Sequence, residues 1–309
     1  MKKNASNTNR RDFIRNAALI TGSVSLGLTA TQNQTSAQQE NATEAKPSDP
    51  RPTVYSANKG GGFGNTKEEM VKNLKRFKAI GYDGMESVSP GIKDTRALRE
   101  ASEEVEFPIH GVVDMVHWQK RLSSPDEKTR DVGRAALEQA IKDSKAIGGS
   151  SVLLVPGRVA GKDENHDHVW KRSIVEIRKV LPLASRLGIH VLIENVWNGF
   201  CESPDQMRDY IDEIGSPWVG AYFDIGNCRR FGPAEDWVRT LGKRIVKLDV
   251  KDWGKVVKNR KTFCRLGEGD VNWPEVRKAL VEIGFSGWAT REGGDKSHED
   301  TKKLIDELL

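Results

Sequence analysis

The chain has 309 residues, 37% of them apolar and 30% charged, a balance that fits a folded globular domain and excludes a disordered chain. No apolar run approaches the ~20 residues a membrane span needs, which argues against an integral membrane protein. A formal charge of +5 would suggest a nucleic-acid partner, but Lys2, Lys3, Arg10, Arg11 and Arg15 against Asp12 place most of it before residue 38, and the remaining body is nearly neutral.

The basic start has the order of a targeting segment. Asn9-Arg10-Arg11-Asp12-Phe13-Ile14 resembles a twin-arginine export signal, a modestly apolar stretch over 17–30 follows it, and Thr35 and Ala37 supply small residues for cleavage. Residues 1–37 are therefore expected to be removed after the twin-arginine machinery has carried the folded protein to the periplasm or beyond. Residues 38–52, polar and Pro-containing, read as a linker.

From residue 53 short β-like runs alternate with longer amphipathic stretches. Strands are predicted over 53–57, 84–88, 108–113, 151–155, 190–194, 219–224, 244–250 and 286–292, and helices over 66–80, 95–104, 125–147, 164–187, 204–214, 234–241, 273–283 and 297–309. Gly81, Gly148, Gly188, Gly215 and Gly284 each follow a helical pattern and read as left-handed C-caps. Eight strand-helix units in 53–309 predict a single (β/α)₈ TIM-barrel catalytic domain. A doubly wound sheet would need a G-x-G-x-x-G turn; Gly60-Gly61-Gly62-Phe63-Gly64 lacks that spacing and reads as a flexible first βα-loop.

Chemistry in such a barrel sits at the C-terminal strand ends. Glu194, Asp224, Asp249 and Glu292 close the last four predicted strands, and four convergent carboxylates point to one divalent-metal site. The two-residue alternation puts Lys247, Asp249 and Lys251 inside the barrel while Val246, Leu248 and Val250 pack outward. Charges there need partners.

Leu192-Ile193-Glu194-Asn195, Phe223-Asp224-Ile225-Gly226-Asn227, Leu248-Asp249-Val250-Lys251-Asp252, Leu266-Gly267-Glu268-Gly269-Asp270 and Thr290-Arg291-Glu292-Gly293-Gly294 together resemble the sugar phosphate isomerase/epimerase family of xylose isomerase-like barrels. The resemblance implies Glu194, Asp224 and Glu292 as metal ligands, with Glu194 and Glu292 doubling as acid and base. The family's fourth ligand is usually a His, and here the position holds Asp249; Asn227 stands where many relatives have His. Four carboxylates around one ion call for compensating cations, for which Lys247 and Lys251 are the candidates, and an oxygen-only ligand set favours Mg²⁺, Mn²⁺ or Ca²⁺ over Zn²⁺.

The expected activity is a metal-dependent sugar isomerase or epimerase, using Mn²⁺, Mg²⁺ or Co²⁺, that abstracts a proton beside the carbonyl of an unphosphorylated keto-sugar or keto-glycoside. Sugar phosphates are scarce outside the cytoplasm. A lyase or hydratase acting on a 3-keto-glycoside would use the same groups, and a carbohydrate-binding barrel with a degenerate metal site is the alternative of another class. A DNA-repair endonuclease of this fold is disfavoured by the neutral body and only six His residues. His117 and Trp118 either contact the substrate or pack beneath their loop. Asn227, Lys251 and Arg265 are further candidate substrate contacts, Lys251 alternatively pairing with a neighbouring acid. His190 reads as a core histidine, His166 and His168 as solvated, and Cys201, Cys228 and Cys264 as incidental. A homo-oligomer is compatible with this reading.

Overall fold

The computed structural model describes residues 50–60, 63–293 and 295–309. The expected export signal and most of the linker lie outside these residues. Among those described, no helix is long and apolar enough to cross a membrane.

Eight parallel strands close into a barrel: β1 (Thr53–Lys59), β2 (Gly84–Ser89), β3 (Ile109–Asp114), β4 (Ser151–Leu154), β5 (His190–Glu194), β6 (Val219–Asp224), β7 (Ile245–Val250) and β10 (Ser286–Arg291), with β1 pairing β10 to complete the ring. The helices are α1 (Lys67–Ile80), α2 (Thr95–Val105), α3 (Glu127–Ala146), α4 (His166–Leu187), α5 (Pro204–Ile214), α6 (Ala234–Leu241), α7 (Trp273–Glu282) and α8 (His298–Leu308). Six of these starts are fixed by side-chain caps. The side chains of Thr66, Asp94, Asp126, Asn165, Ser203 and Ser297 each accept a hydrogen bond from an otherwise orphaned backbone N–H of the first turn.

Most of the apolar core lies between barrel and helices, where Val191, Ile193, Ala221, Phe223, Leu248 and Val250 face outward onto buried helix residues such as Ile177, Tyr210, Trp237 and Leu280. Among the described residues, a small apolar cluster lies inside the barrel, Val113, Leu153, Leu192 and Tyr222. Val246 departs from the expected outward direction. The β6–β7 register shifts between Ala221 and Tyr222, leaving Val246 as an extra residue that packs against this inner cluster.

The sequence reading has no counterpart for an antiparallel hairpin, β8 (Asp252–Val257) and β9 (Arg260–Cys264), inserted after β7. Its two-residue turn puts Lys258 and Asn259 in the left-handed region, the geometry of a type I′ hairpin, but without the Asn-Gly pair that usually signals one. Asp252 anchors it: this buried carboxylate accepts from the backbone N–H groups of Trp253, Gly267, Gly269 and Val271 and from the Trp273 indole.

Candidate active site

The four predicted carboxylates converge. One oxygen each from Glu194, Asp224, Asp249 and Glu292 lie within 4.8 Å of one another at the C-terminal mouth of the barrel. Register explains the meeting: Asp224 is level with Asp249 across β6 and β7, and Asp249 with Thr290 across β7 and β10, so Glu292 rises one inward step beyond. The Glu292 N–H donates to the Val250 carbonyl, continuing the ladder past the end of β10.

Each carboxylate is held differently. Asp224, fully buried, accepts from the Asn227 N–H at 2.7 Å, from the Asn227 side-chain amide at 2.8 Å and from the Lys251 ammonium at 2.7 Å. Behind it the Asn195 amide clamps the backbone of residue 224, accepting from its N–H at 2.8 Å and donating to its carbonyl at 2.9 Å. Asn227 also donates to the Asn195 carbonyl at 3.0 Å. Its side-chain NH₂ is thus committed to Asp224 and the β5 exit. Gly226 permits the approach of Lys251, because a Cβ there would lie 2.6 Å from Lys251 Cγ.

Lys251 pairs with the acids, reaching Glu292 as well at 3.5 Å. Lys247 does not. It points into the barrel floor, where its ammonium lies 2.9 Å from His110 Nδ1 and donates to the His110 carbonyl at 2.8 Å. His110 stacks on Trp288 and lies 3.2 Å from the Thr290 hydroxyl, itself 2.6 Å from that of Tyr222. Burial draws Lys247 down to about 7 and keeps His110 neutral.

The cation opposite Asp249 is Lys59, at the end of β1. Its ammonium is 2.5 Å from Asp249 Oδ2 and 2.9 Å from Glu292 Oε2. Sequence reasoning missed it because the expected first strand ended at residue 57; carrying the alternation two residues further would have turned Lys59 inward. Glu86 was missed as well. It lies on β2 in register with Lys59 and is fully buried; neither oxygen makes a hydrogen bond of ordinary geometry, the Tyr222 hydroxyl interacts with it, and burial raises it above the usual carboxylate range.

The environments push the two glutamates apart. Burial raises Glu194 to about 8, against the pull of Lys59 and with Glu292 and Asp224 adding to the rise. Glu292, despite its own burial, is drawn down to about 2 by Lys59 and Lys251. Burial likewise lifts Asp224, and lifts Asp249 well above the usual carboxylate range.

Among the other candidates, His117 is buried and neutral, drawn down to about 3 first by burial and then by Lys59. Its Nδ1 accepts from the Val155 N–H at 3.2 Å, leaving the proton on Nε2. Trp118 meets its ring edge-on at 5.4 Å and is 41% exposed. Arg265 makes a two-pronged pair with Asp300 at 2.6 and 2.7 Å. His190 packs on Trp218 at the N-terminal end of β5. His166 is half-buried against Phe200, not solvated as expected. The three cysteines are free thiols, Cys201 and Cys228 buried.

The donor set fits a hard divalent cation. Four oxygens at this spacing match the preference of Mg²⁺ or Mn²⁺ for carboxylates, and Asp249 Oδ1 is buried without a hydrogen-bond partner. The sequence model of the xylose isomerase-like TIM barrel matches residues 74–309. The chain belongs to that family. The chain is 22% identical over 259 residues to an uncharacterized protein of Methanocaldococcus jannaschii, covering 78% of this chain and 85% of that one. It is 26% identical over 182 residues to a putative L-ribulose-5-phosphate 3-epimerase of Escherichia coli, covering 55% and 61%. Among solved structures it resembles a D-allulose 3-epimerase from Methylomonas sp., with TM-score 0.67, 17% identity and 84% and 98% of the two chains covered. A 3-keto-D-glucoside 4-epimerase from E. coli gives TM-score 0.67, 14% identity and 83% and 99% coverage. At these identities the structural likeness carries the fold. The family match begins after β1, so Lys59 lies outside it.

Proposed function

We propose that this chain is a divalent-metal-dependent sugar epimerase or isomerase that moves a proton at the carbon beside the carbonyl of an unphosphorylated keto-sugar or keto-glycoside. The observation that carries this reading is the convergence of Glu194, Asp224, Asp249 and Glu292 within 4.8 Å at the mouth of the barrel. Its membership of a family with epimerases among its structural neighbours supports the reaction class.

Glu194, Asp224, Asp249 and Glu292 would hold the ion. When bound, Mn²⁺, Mg²⁺ or Co²⁺ supplies Lewis-acid polarisation of the substrate carbonyl. Proton transfer belongs to the two glutamates. One of them would remove the proton and the other would return it from the opposite side; in the metal-free site Lys59 and Lys251 draw Glu292 down and burial pushes Glu194 up, and binding of the ion would displace the Glu194 proton. Asn227, Asn195 and Lys251 fix the Asp224 carboxylate, so that its oxygens cannot turn away. The cations beside the carboxylates, Lys59 and Lys251, are engaged with them, which favours a substrate without a phosphate. Trp118 offers an exposed apolar edge to a sugar ring next to the His117 Nε2–H. Elimination of a group β to the carbonyl would begin with the same proton abstraction.

A screen of unphosphorylated ketoses and 3-keto-glycosides with Mn²⁺-loaded protein, read by chromatography with mass detection, tests the proposal. An epimer or isomer of at least one substrate is expected; loss of a fragment would assign a lyase, and no conversion of any would overturn the reading. We also propose export through Arg10-Arg11 with cleavage after Ala37. N-terminal sequencing of envelope-fraction protein should begin at Gln38, and an intact Met1 form in the cytoplasm would rule it out.

A further inference from the structure

Glu86 and Lys59 pose one problem together. A fully buried carboxylate with no paired cation is costly in a protein interior, yet Glu86 stands beside a lysine in register on the neighbouring strand, and that lysine does not pair with it. Lys59 nevertheless directs its ammonium to Asp249 and Glu292, at 2.5 and 2.9 Å. Those are two of the four carboxylates a divalent ion would need.

Charge explains the choice. Glu194, Asp224, Asp249 and Glu292 carry four negative charges when ionised, and Lys59 and Lys251, the ammonium groups that reach them, carry two positive ones. The deficit equals one divalent cation. Asp249 contributes one of those charges, and it is met by Lys59, at the end of β1. An ion on all four carboxylates would leave the ammonium facing the cation, with Glu86, in register on the next strand, as the adjacent carboxylate that no cation holds.

We propose that Lys59 is a displaceable resident cation: its ammonium holds Asp249 and Glu292 until a divalent ion binds, then moves to Glu86. The inference rests on the reading of the four carboxylates as a metal site. Lys59 then sets metal affinity by competition, and Glu86 relieves that competition by receiving the ammonium. Such a site binds its ion more weakly, and releases it more readily, than four bare carboxylates would.

Calorimetric titration with Mn²⁺ alone, on parent, Lys59→Met, Glu86→Gln and the double variant, tests this without reference to activity. Lys59→Met should bind Mn²⁺ at least tenfold tighter than the parent. Glu86→Gln should bind more weakly than the parent, and that weakening should shrink at least fivefold in the Lys59→Met background, where no ammonium needs a second place. Equal or weaker binding by Lys59→Met, or an equal effect of Glu86→Gln in both backgrounds, overturns the proposal while leaving the metal site standing. Absence of Mn²⁺ binding in all four variants overturns both. Mn²⁺-dependent rises in melting temperature provide a second readout of the same ranking. If Lys59→Met does not fold, Lys59→Gln carries the comparison, and parent-like affinity in Glu86→Gln is by itself enough to refute.

Discussion

Replacing Asn227 with alanine separates a residue that holds Asp224 from one that touches a sugar. The substitution deletes a hydrogen bond to the Asp224 carboxylate at 2.8 Å and another to the Asn195 carbonyl at 3.0 Å, both buried. The backbone N–H of residue 227 and the Lys251 ammonium still reach Asp224. A hydrogen bond to a charged acceptor contributes about 1.5–3 kcal/mol and a neutral one about 0.5–1.5 kcal/mol, so the variant should lose roughly 2–4 kcal/mol. For a domain of this size each kcal/mol corresponds to about 2–4 °C, which puts the fall in melting temperature at roughly 5–15 °C. Freeing one side of Asp224 should also weaken Mn²⁺ binding about 10- to 100-fold, as removal of a ligand's supporting partner does elsewhere. Differential scanning calorimetry and Mn²⁺ titration measure the two effects. An unchanged melting temperature and metal affinity, with only KM raised, would refute this assignment and favour Asn227 as a substrate contact.

Glu194→Gln and Glu292→Gln should each reduce proton exchange on the substrate at least 100-fold while keeping the circular dichroism of the parent, since each removes one acid/base group; parent-like exchange in both would remove the glutamates from the mechanism. Metal binding should weaken as pH falls below about 8, where Glu194 takes up a proton that the ion must displace. Titrations in buffers of differing ionisation enthalpy should therefore show proton release at pH 7, and pH-independent affinity between 6 and 8 would contradict the state assigned to Glu194. Asp252→Ala removes the acceptor of five hydrogen bonds at the root of the hairpin, so limited proteolysis should cut within residues 252–272 far faster than in the parent; equal cutting rates would show that the hairpin does not depend on this anchor.

The barrel was legible because its signals are local and repeated. Apolar runs ending in carboxylates and glycines after helical stretches recur with each unit, and the carboxylates met where strand ends required. What stayed hidden depends on register and on partners distant in sequence. Lys59 was missed by ending the first strand two residues early, and it pairs with acids 190 and 233 residues away. Lys247 and Lys251 look equivalent by alternation, but the first lies level with the barrel floor beside His110 and only the second reaches the acids. The motif asparagines could be placed at the mouth, yet only the geometry shows them bound to Asp224 and its backbone. The hairpin escaped because its turn uses Lys258-Asn259 in place of a glycine pair.

The most direct test of the account is ¹H NMR of a converted substrate incubated in ²H₂O with Mn²⁺-loaded protein. The account predicts deuterium at the carbon beside the carbonyl, appearing with the metal-loaded parent, lost when the metal is chelated, and lost in Glu292→Gln. Conversion of the substrate with no deuterium incorporated, or incorporation undiminished by chelator, would contradict it.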